Sequence, residues 1–426
     1  MAAIQEHPPR YSSATELHAR PFPALSAPAT GAFIAIKQAE NASSRDRELD
    51  RRHLIKLLDR FGADHPSPGA THFFGQVGRY LLKWESHTEF VPYTIMSDGL
   101  KDRAFDPADF DAFPEEWLAE APGVRLTSAL VRLQEEEDHD TQAQLLEEWF
   151  VSESLAVSEE VDTTATVASD IRIDAAGHMR CAIFTRGDTG ARRIGRVVQR
   201  LCEIETYKAM SMLGLARVRA LSPRLGEIDS ALLQLVDAMS GGASASEGTL
   251  KELLALSSEM ENLNAKASYR FAATRAYEAI VHQRIQVLRE ERFNGRQTFS
   301  EFMMRRFDPA MRTVRATEQR MRDMSERALR AGDLLRTSVD VERQAQNQSL
   351  LESMNRRADL QLRLQKTVEG RSVVAISYYA VNLVVYALGP VTEPYGFSSV
   401  LLFGLATPMT VLAVWWLVRR VRQSVE

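Results

Sequence analysis

Hydrophobic positions along the chain follow three regimes. Up to about residue 185 short apolar runs alternate with polar turns, from residue 191 to about 365 they recur every three or four positions, and beyond residue 372 they merge into two blocks. In the first regime, Gly31 to Lys37 (GAFIAIK) is apolar and β-branched and predicts a buried strand. Leu49, Leu54, Leu57, Leu58 and Phe61 follow at helical spacing, with Gly62 closing the helix. DHPSPGATH reads as a loop, and GRYLLKWESHTEFVPYTIMS predicts two neighbouring strands on either side of Glu85 to Thr88. Asp106 and Pro107 predict an N-cap and first-turn proline for a helix ending near Glu120. Val124 to Leu133, SLAVSEE, TATVASDIRI and GHMRCAIF are further strand candidates, with Asp174 to Gly177 a turn. The expected fold class is α+β, a mostly antiparallel sheet with helices around it, occupying residues 1–240.

In the second regime Ile194, Val197, Leu201 and Ile204 predict a helix from Ala191 to Arg219 that Pro223 ends, followed by another from Leu225 to Met239. SGGASAS is a linker. Leu253, Leu256, Met260, Leu263 and Ala267 form a coiled-coil seam on a helix expected to continue to Arg292, where Asn294 and Gly295 stop it. Asp308 and Pro309 look like the start of the next helix, whose heptad runs through Met311, Val314, Met321, Met324, Ala328, Ala331 and Leu335 and weakens from Val341 to Gln365. Unbroken to Gly370, that helix would be about 90 Å long. Residues 247–371 are therefore expected to form a helical stalk.

The third regime is the apolar pair 373–391 and 398–418, each about the roughly 20 residues that cross a bilayer and each free of charged residues. Arg371 precedes the first and Arg419, Arg420 and Arg422 follow the second, whereas the turn TEPYGF carries only Glu393. This bias predicts a transmembrane hairpin over 372–418 with both outer ends, including the basic tail 419–426, in the cytoplasm.

Composition sharpens the picture. The opening residues lack an apolar core of signal-peptide length, so the first 370 residues are expected to stay inside a bacterial inner membrane. A net charge of -5 over 426 residues argues against nucleic acid as a partner. The two cysteines, Cys181 and Cys202, are too few for a disulfide framework and fit a reducing compartment.

Candidate chemistry is sparse. Glu85, His87 and Glu89 fall at every second residue and on one strand would share a face able to hold a divalent cation, with Trp84 and Phe90 opposite; the competing reading is an ordinary polar strand face. His53, His65 and His72 with Asp59 and Asp64 form a looser cluster that matches no zinc spacing. EEEDHD, Glu135 to Asp140, reads as an acidic loop or a cation site, and RRIGRVVQR, Arg192 to Arg200, as a solvated basic face or a phosphate site. No P-loop, dinucleotide-binding or nucleophile-elbow motif occurs, which leaves no cofactor and no catalytic residue to assign. Within the first apolar block Ser377, Tyr379, Asn382 and Tyr386 are polar, and Asn382 lies near mid-depth, where it would make an oligomer contact or line a pore.

ELHARPFP (Glu16 to Pro23), KWESHTEF (Lys83 to Phe90), IETYKAMSMLGL (Ile204 to Leu215) and TVEGRSVVAISYY (Thr367 to Tyr379) together resemble a bacterial family of uncharacterised membrane-anchored proteins, catalogued as a domain of unknown function. That resemblance implies topology and no activity. A second likeness is architectural: a cytoplasmic domain, a long helix and two closing membrane helices are similar to the CorA-type magnesium channels. Those carry a Gly-Met-Asn motif at the outer end of the first membrane helix, of which Tyr379-Ala380-Val381-Asn382 keeps only the tyrosine and asparagine, about two turns too deep. Two readings follow: a self-associating, membrane-anchored scaffold or regulatory protein, and a divalent-cation channel assembled from several copies. An enzyme comes third and would be supported by Glu85, His87 and Glu89 converging with a pocket.

Overall fold

A computed structural model describes residues 7, 8, 10, 11, 22–160, 165–240, 247–392 and 398–425. Residues 16–21 of ELHARPFP, Thr164 at the head of TATVASDIRI, residues 241–246 of the linker and residues 393–397 of the membrane turn, Glu393 included, lie outside this range. The described strands form one nine-stranded sheet in the order β2-β3-β4-β1-β5-β8-β7-β6-β9. In chain order they are β1 (Ala29–Lys37), β2 (His72–Val77), β3 (Tyr80–Glu85), β4 (Phe90–Asp98), β5 (Val124–Glu135), β6 (Ala156–Glu160), β7 (Ala165–Ser169), β8 (Met179–Thr185) and β9 (Glu290–Arg292). Every pairing is antiparallel except the parallel β5 with β8. The expected fold class, α+β with a mostly antiparallel sheet, therefore holds.

Both faces of the sheet are covered. On one, Ala32, Ile34, Ile36, Trp84, Tyr93 and Ile95 join a core with Leu54, Leu57 and Leu58 of α1 (Arg47–Phe61), Trp117 of α2 (Glu115–Ala119), and Leu146 and Trp149 of α3 (His139–Trp149). On the other lies the first part of α4 (Ala191–Ser240): Tyr207 packs edge-on against Phe90, and Glu205 accepts from the hydroxyl of Thr127 at 2.8 Å. A strand buried on both faces needs apolar residues at every position, so GAFIAIK shows no alternation.

Several local expectations give way. Pro223 does not end its helix: α4 continues to Ser240, because Leu221 and Leu225 are buried on either side of it and the Ser222 hydroxyl donates to the Val218 carbonyl at 2.8 Å. Next, α5 (Glu247–Leu288) stops short of Arg292, since Arg289 turns left-handed at φ 46° and Glu290–Arg292 pairs with β6. Pro309 does not start the last long helix either. This helix, α6 (Phe299–Thr392), begins earlier, at a reciprocal cap in which Thr298 Oγ1 accepts from Glu301 N–H and Glu301 Oε2 accepts from Thr298 N–H, both at 3.2 Å. The expected loop DHPSPGATH gives up His72 to β2, and the acidic EEEDHD leads into α3. Before Glu120 stands a short 3-10 helix (Pro107–Ala112) capped by Asp106, then α2.

The chain forms two compact units, Met1–Ala238 with Glu252–Arg330, and Met239–Lys251 with Ala331–Glu426. In the first, α4, α5 and the start of α6 pack side by side. Arg224 grips Glu259 through two bonds of 2.6 Å, and Asp229 accepts from Arg320 and Arg327 at 2.8 and 3.0 Å. On α5 Leu253, Met260, Ala267, Thr274, Val281 and Leu288 are buried at every seventh position, while Leu256 and Leu263 are half-buried.

In the second unit the seam residues Ala331 and Leu335 are buried, whereas 341–365 is almost wholly exposed. Among the described residues one helix, Phe299–Pro390, holds a window long and apolar enough to cross a membrane, and only 11% of that window is buried. The last helix, α7 (Ser399–Val425), runs past the expected Val418 boundary, so Arg419, Arg420 and Arg422 are helical rather than a separate tail. The Arg419 and Arg420 guanidiniums lie over the Trp415 and Trp416 rings at 5.1 and 5.2 Å.

Candidate functional site: a charged cleft between sheet and helix

The stretch KWESHTEF does not form one strand. β3 ends at Glu85 and β4 begins at Phe90, so Ser86 to Glu89 is the turn between them. Two arginines fix that turn. Arg45, itself held by Asp50 at 2.7 Å, donates to the carbonyls of Thr88 and of His87, the latter at 2.6 Å, while Arg270 of α5 grips the fully buried Glu89 carboxylate. Burial raises the Asp50 carboxyl above its ordinary range against the pull of Arg45, and it lowers the nearby Lys37 ammonium.

The side chains this frame presents toward α4 are Lys83, Glu85 and His87. Lys83 Nζ donates to Gln199 Oε1 at 2.5 Å and sits 3.4 Å from Glu85 Oε1; His87 Nε2 stands 3.9 Å from Glu85 Oε2. The His87 ring stacks on Phe90 at 4.6 Å and meets Tyr207 edge-on. Gln199 donates onward to Glu203 at 2.7 Å, and Glu203 is ion-paired with Arg284 of α5. Glu85, His87, Gln199, Glu203, Tyr207 and Arg284 line a cavity of about 360 Å³, walled also by Phe22, Arg200 and Val287, which adjoins a narrower pocket reaching Lys83, Phe90, Phe33 and Cys202. That volume lies at the lower end of the ~300–1,000 Å³ typical of small-molecule pockets.

Of the proposed cation ligands the structure therefore brings Glu85 and His87 to the cavity and takes Glu89 to Arg270. Trp84 joins the core on the far face, while Phe90 faces the cleft, the opposite of the arrangement a single strand would give. Among the described residues no group of three or more His, Cys, Asp or Glu side chains could hold a metal ion. The looser histidine cluster disperses. His53 is buried between Tyr93 and Trp117, His65 pairs with Asp59 at 2.6 Å on the surface, and His72 opens β2 opposite Glu85.

The acidic run caps α3, with Asp138 accepting from the Thr141 hydroxyl at 2.6 Å and the Thr141 N–H at 2.9 Å, and these bonds hold the Asp138 carboxyl below its usual range. From the basic run Arg200 lines the cavity, whereas Arg192 and Arg193 are exposed. In α6 Ser377 is buried, Tyr379 and Tyr386 are exposed, and the Asn382 amide donates to the Tyr378 carbonyl of its own helix at 3.0 Å.

Lys83, Gln199, Glu203, Tyr207 and Arg284 escape a motif search. A signal existed for three of them, since Lys83 and Tyr207 fall within KWESHTEF and IETYKAMSMLGL and Gln199 within RRIGRVVQR. The segment Phe22–Pro23, the end of ELHARPFP, supplies a third wall. Three of the four stretches that carry the family resemblance thus meet at this cleft.

A sheet-based α+β domain continued by a very long helix with an exposed apolar window defines the class of protein. The chain belongs to the family described as "Protein of unknown function (DUF3422)", which it matches over residues 5–425. No curated protein matches it.

Proposed function

We propose that the chain is a self-associating scaffold or regulatory protein, anchored in a bacterial inner membrane by a C-terminal hairpin over 373–391 and 398–418, with the sheet domain and both ends in the cytoplasm. The carrying observation is the window in α6: an apolar helical stretch only 11% buried among the described residues supports an apolar surrounding such as a bilayer. Trp415 and Trp416, each stacked beneath an arginine, suit the interface at the end of a second span.

Self-association draws its support from α6 between 341 and 365. There Leu350, Leu351, Met354, Leu360, Leu362 and Leu364 are exposed, and a second copy of the same helix is the partner we infer for them. The Asn382 amide donates to the Tyr378 carbonyl of its own helix, which satisfies one of its two donors in an apolar surrounding without a second copy.

Alkaline carbonate washing of membrane pellets tests the anchor. The full chain is expected to stay in the pellet, and its release into the wash would refute the anchor. Reconstituted into liposomes, the protein should pass no magnesium; flux abolished by Asn382→Leu would establish the channel instead.

A further inference from the structure

We propose that the cleft between β3, α4 and α5 binds a small zwitterion of the α-amino-acid class with an apolar or aromatic side chain. Two cations (Arg200, Arg284) and two carboxylates (Glu85, Glu203) face the same cavity, and Lys83 lines the narrower pocket beside it. Lys83 and Glu85 are each only 9% exposed in their side chains, so charged groups are held largely out of water at the wall of a space with room for a ligand. These charges are already paired with one another, so an occupant of a single sign would meet a like charge beside its partner, whereas one carrying both signs engages them without leaving a charge unmatched.

The spacing narrows the class. Glu203 is already paired with Arg284 and Lys83 with Glu85, whereas Arg200 donates to the Val287 carbonyl at 3.4 Å and has Glu160 and Glu203 as its attracting neighbours. Arg200 and Glu203 are one i,i+3 step apart on α4, which places their side chains about 5–6 Å apart at Cβ. A carboxylate and an ammonium separated by one carbon can engage both at once. A lone anion at Arg200 would sit against the Glu203 carboxylate, and a lone cation at Glu203 against two arginines. The rest of the occupant meets Phe22, Val287 and the His87 and Tyr207 rings. The site is preorganised, because Arg45 and Arg270 fix the turn that carries His87.

The test uses the full chain purified in detergent and a panel of the proteinogenic amino acids, each beside its decarboxylated amine and its deaminated acid, read by thermal melting and confirmed by equilibrium dialysis. At least one apolar or aromatic amino acid is expected to raise the melting midpoint and to be retained in dialysis, while its two single-charge counterparts do neither. Glu203→Gln and Arg200→Gln should each abolish both signals. Should Glu203→Gln fail to fold, Arg200→Gln carries the test alone, since it removes a long bond to a carbonyl and the attraction of Glu160 and Glu203 at a partly exposed position. The proposal is overturned if no amino acid stabilises the wild type, if a single-charge counterpart does so equally, or if the effect survives Arg200→Gln. None of these results depends on whether the chain resists carbonate.

Discussion

Glu89, with no exposed surface, is held by both terminal nitrogens of Arg270, at 2.9 and 3.1 Å. The pair ties the β3–β4 turn to α5, so the sheet and the helices beside it are fastened at the point where His87 enters the cleft. Removing one partner strands a buried charge. Arg270→Met is therefore expected to destabilise the protein by about 3–5 kcal/mol, the range for a broken buried ion pair. Chemical denaturation followed by tryptophan fluorescence measures it. A loss no larger than a surface pair's, about 1 kcal/mol or less, would show that water reaches Glu89.

His53 predicts a pH dependence. Its Nε2 donates to the Trp117 carbonyl at 2.9 Å and its Nδ1 faces the Tyr93 hydroxyl at 3.1 Å, contacts that the neutral Nε2–H tautomer satisfies. Burial lowers its pKa below the ordinary 6.5, outweighing the opposing hydrogen bond to Trp117. The folded state then binds fewer protons than the unfolded state in the interval below 6.5. Stability from the neutral ring is complete above that interval and is lost as pH falls through it. Melting midpoints measured downward from neutral pH should decline more steeply for wild type than for His53→Phe; parallel curves would remove His53 as the cause.

Much of this architecture was legible in the chain, for identifiable reasons. GAFIAIK read as a buried strand because both its faces are covered, and Met311, Val314, Met321, Met324 and Ala328 read as a seam because all of them are buried. The misreadings share a cause: a local rule was overruled by packing or by a partner distant in sequence. Pro223 is carried through its helix by Leu221 and Leu225, and Pro309 lost its starting role to the Thr298 and Glu301 cap upstream. The cleft was illegible because Glu203 and Arg284, its paired charges, are 81 residues apart and neither belongs to a spaced motif. Glu85 and His87 were found, but the turn that breaks the strand at Ser86 sends Glu89 to a different partner.

The cap at the start of α6 gives a further prediction. Glu290, its carboxyl raised by burial, accepts from the N–H groups of Phe299 and Ser300 at 3.0 Å each, so the helix terminus rests on Glu290 as well as Thr298. Thr298→Ala should cost about 1 kcal/mol, and Thr298→Ser should restore most of it. Denaturation midpoints of the three proteins decide the matter; equal values for alanine and threonine would mean that Glu290 alone satisfies the terminus.

Gly195 governs the mouth of the cleft. A Cβ added there would stand 1.8 Å from the Pro23 carbonyl oxygen, and that segment is pinned beside α4 by the bond from Leu25 N–H to the Ala191 carbonyl at 3.0 Å. Gly195→Ala must therefore displace Phe22 and Pro23 from the cavity wall, costing about 1–3 kcal/mol as overpacking does. Limited proteolysis should cut the variant near Pro23 faster than wild type. Unchanged cleavage would show that the helix, not the segment, yields.

The apolar run of α6 predicts a graded response to charge. Leu383 is 69% exposed, and if the run lies in lipid its side chain contacts acyl chains rather than protein. An arginine at the centre of a spanning helix costs about 2.5–3.5 kcal/mol of insertion free energy. Leu383→Arg should accordingly shift a large share of the chain from the carbonate-resistant pellet to the soluble or aggregated fraction. Arg420→Leu, beyond the run, should leave it in the pellet. Asn382→Leu supplies the opposite sign, because it removes a polar group whose amide donates to a carbonyl of its own helix, and it should hold the chain in the membrane at least as firmly as wild type. Equal fractionation of Leu383→Arg and wild type would place the run in a protein interface between copies, and the anchor would then have to reside in α7.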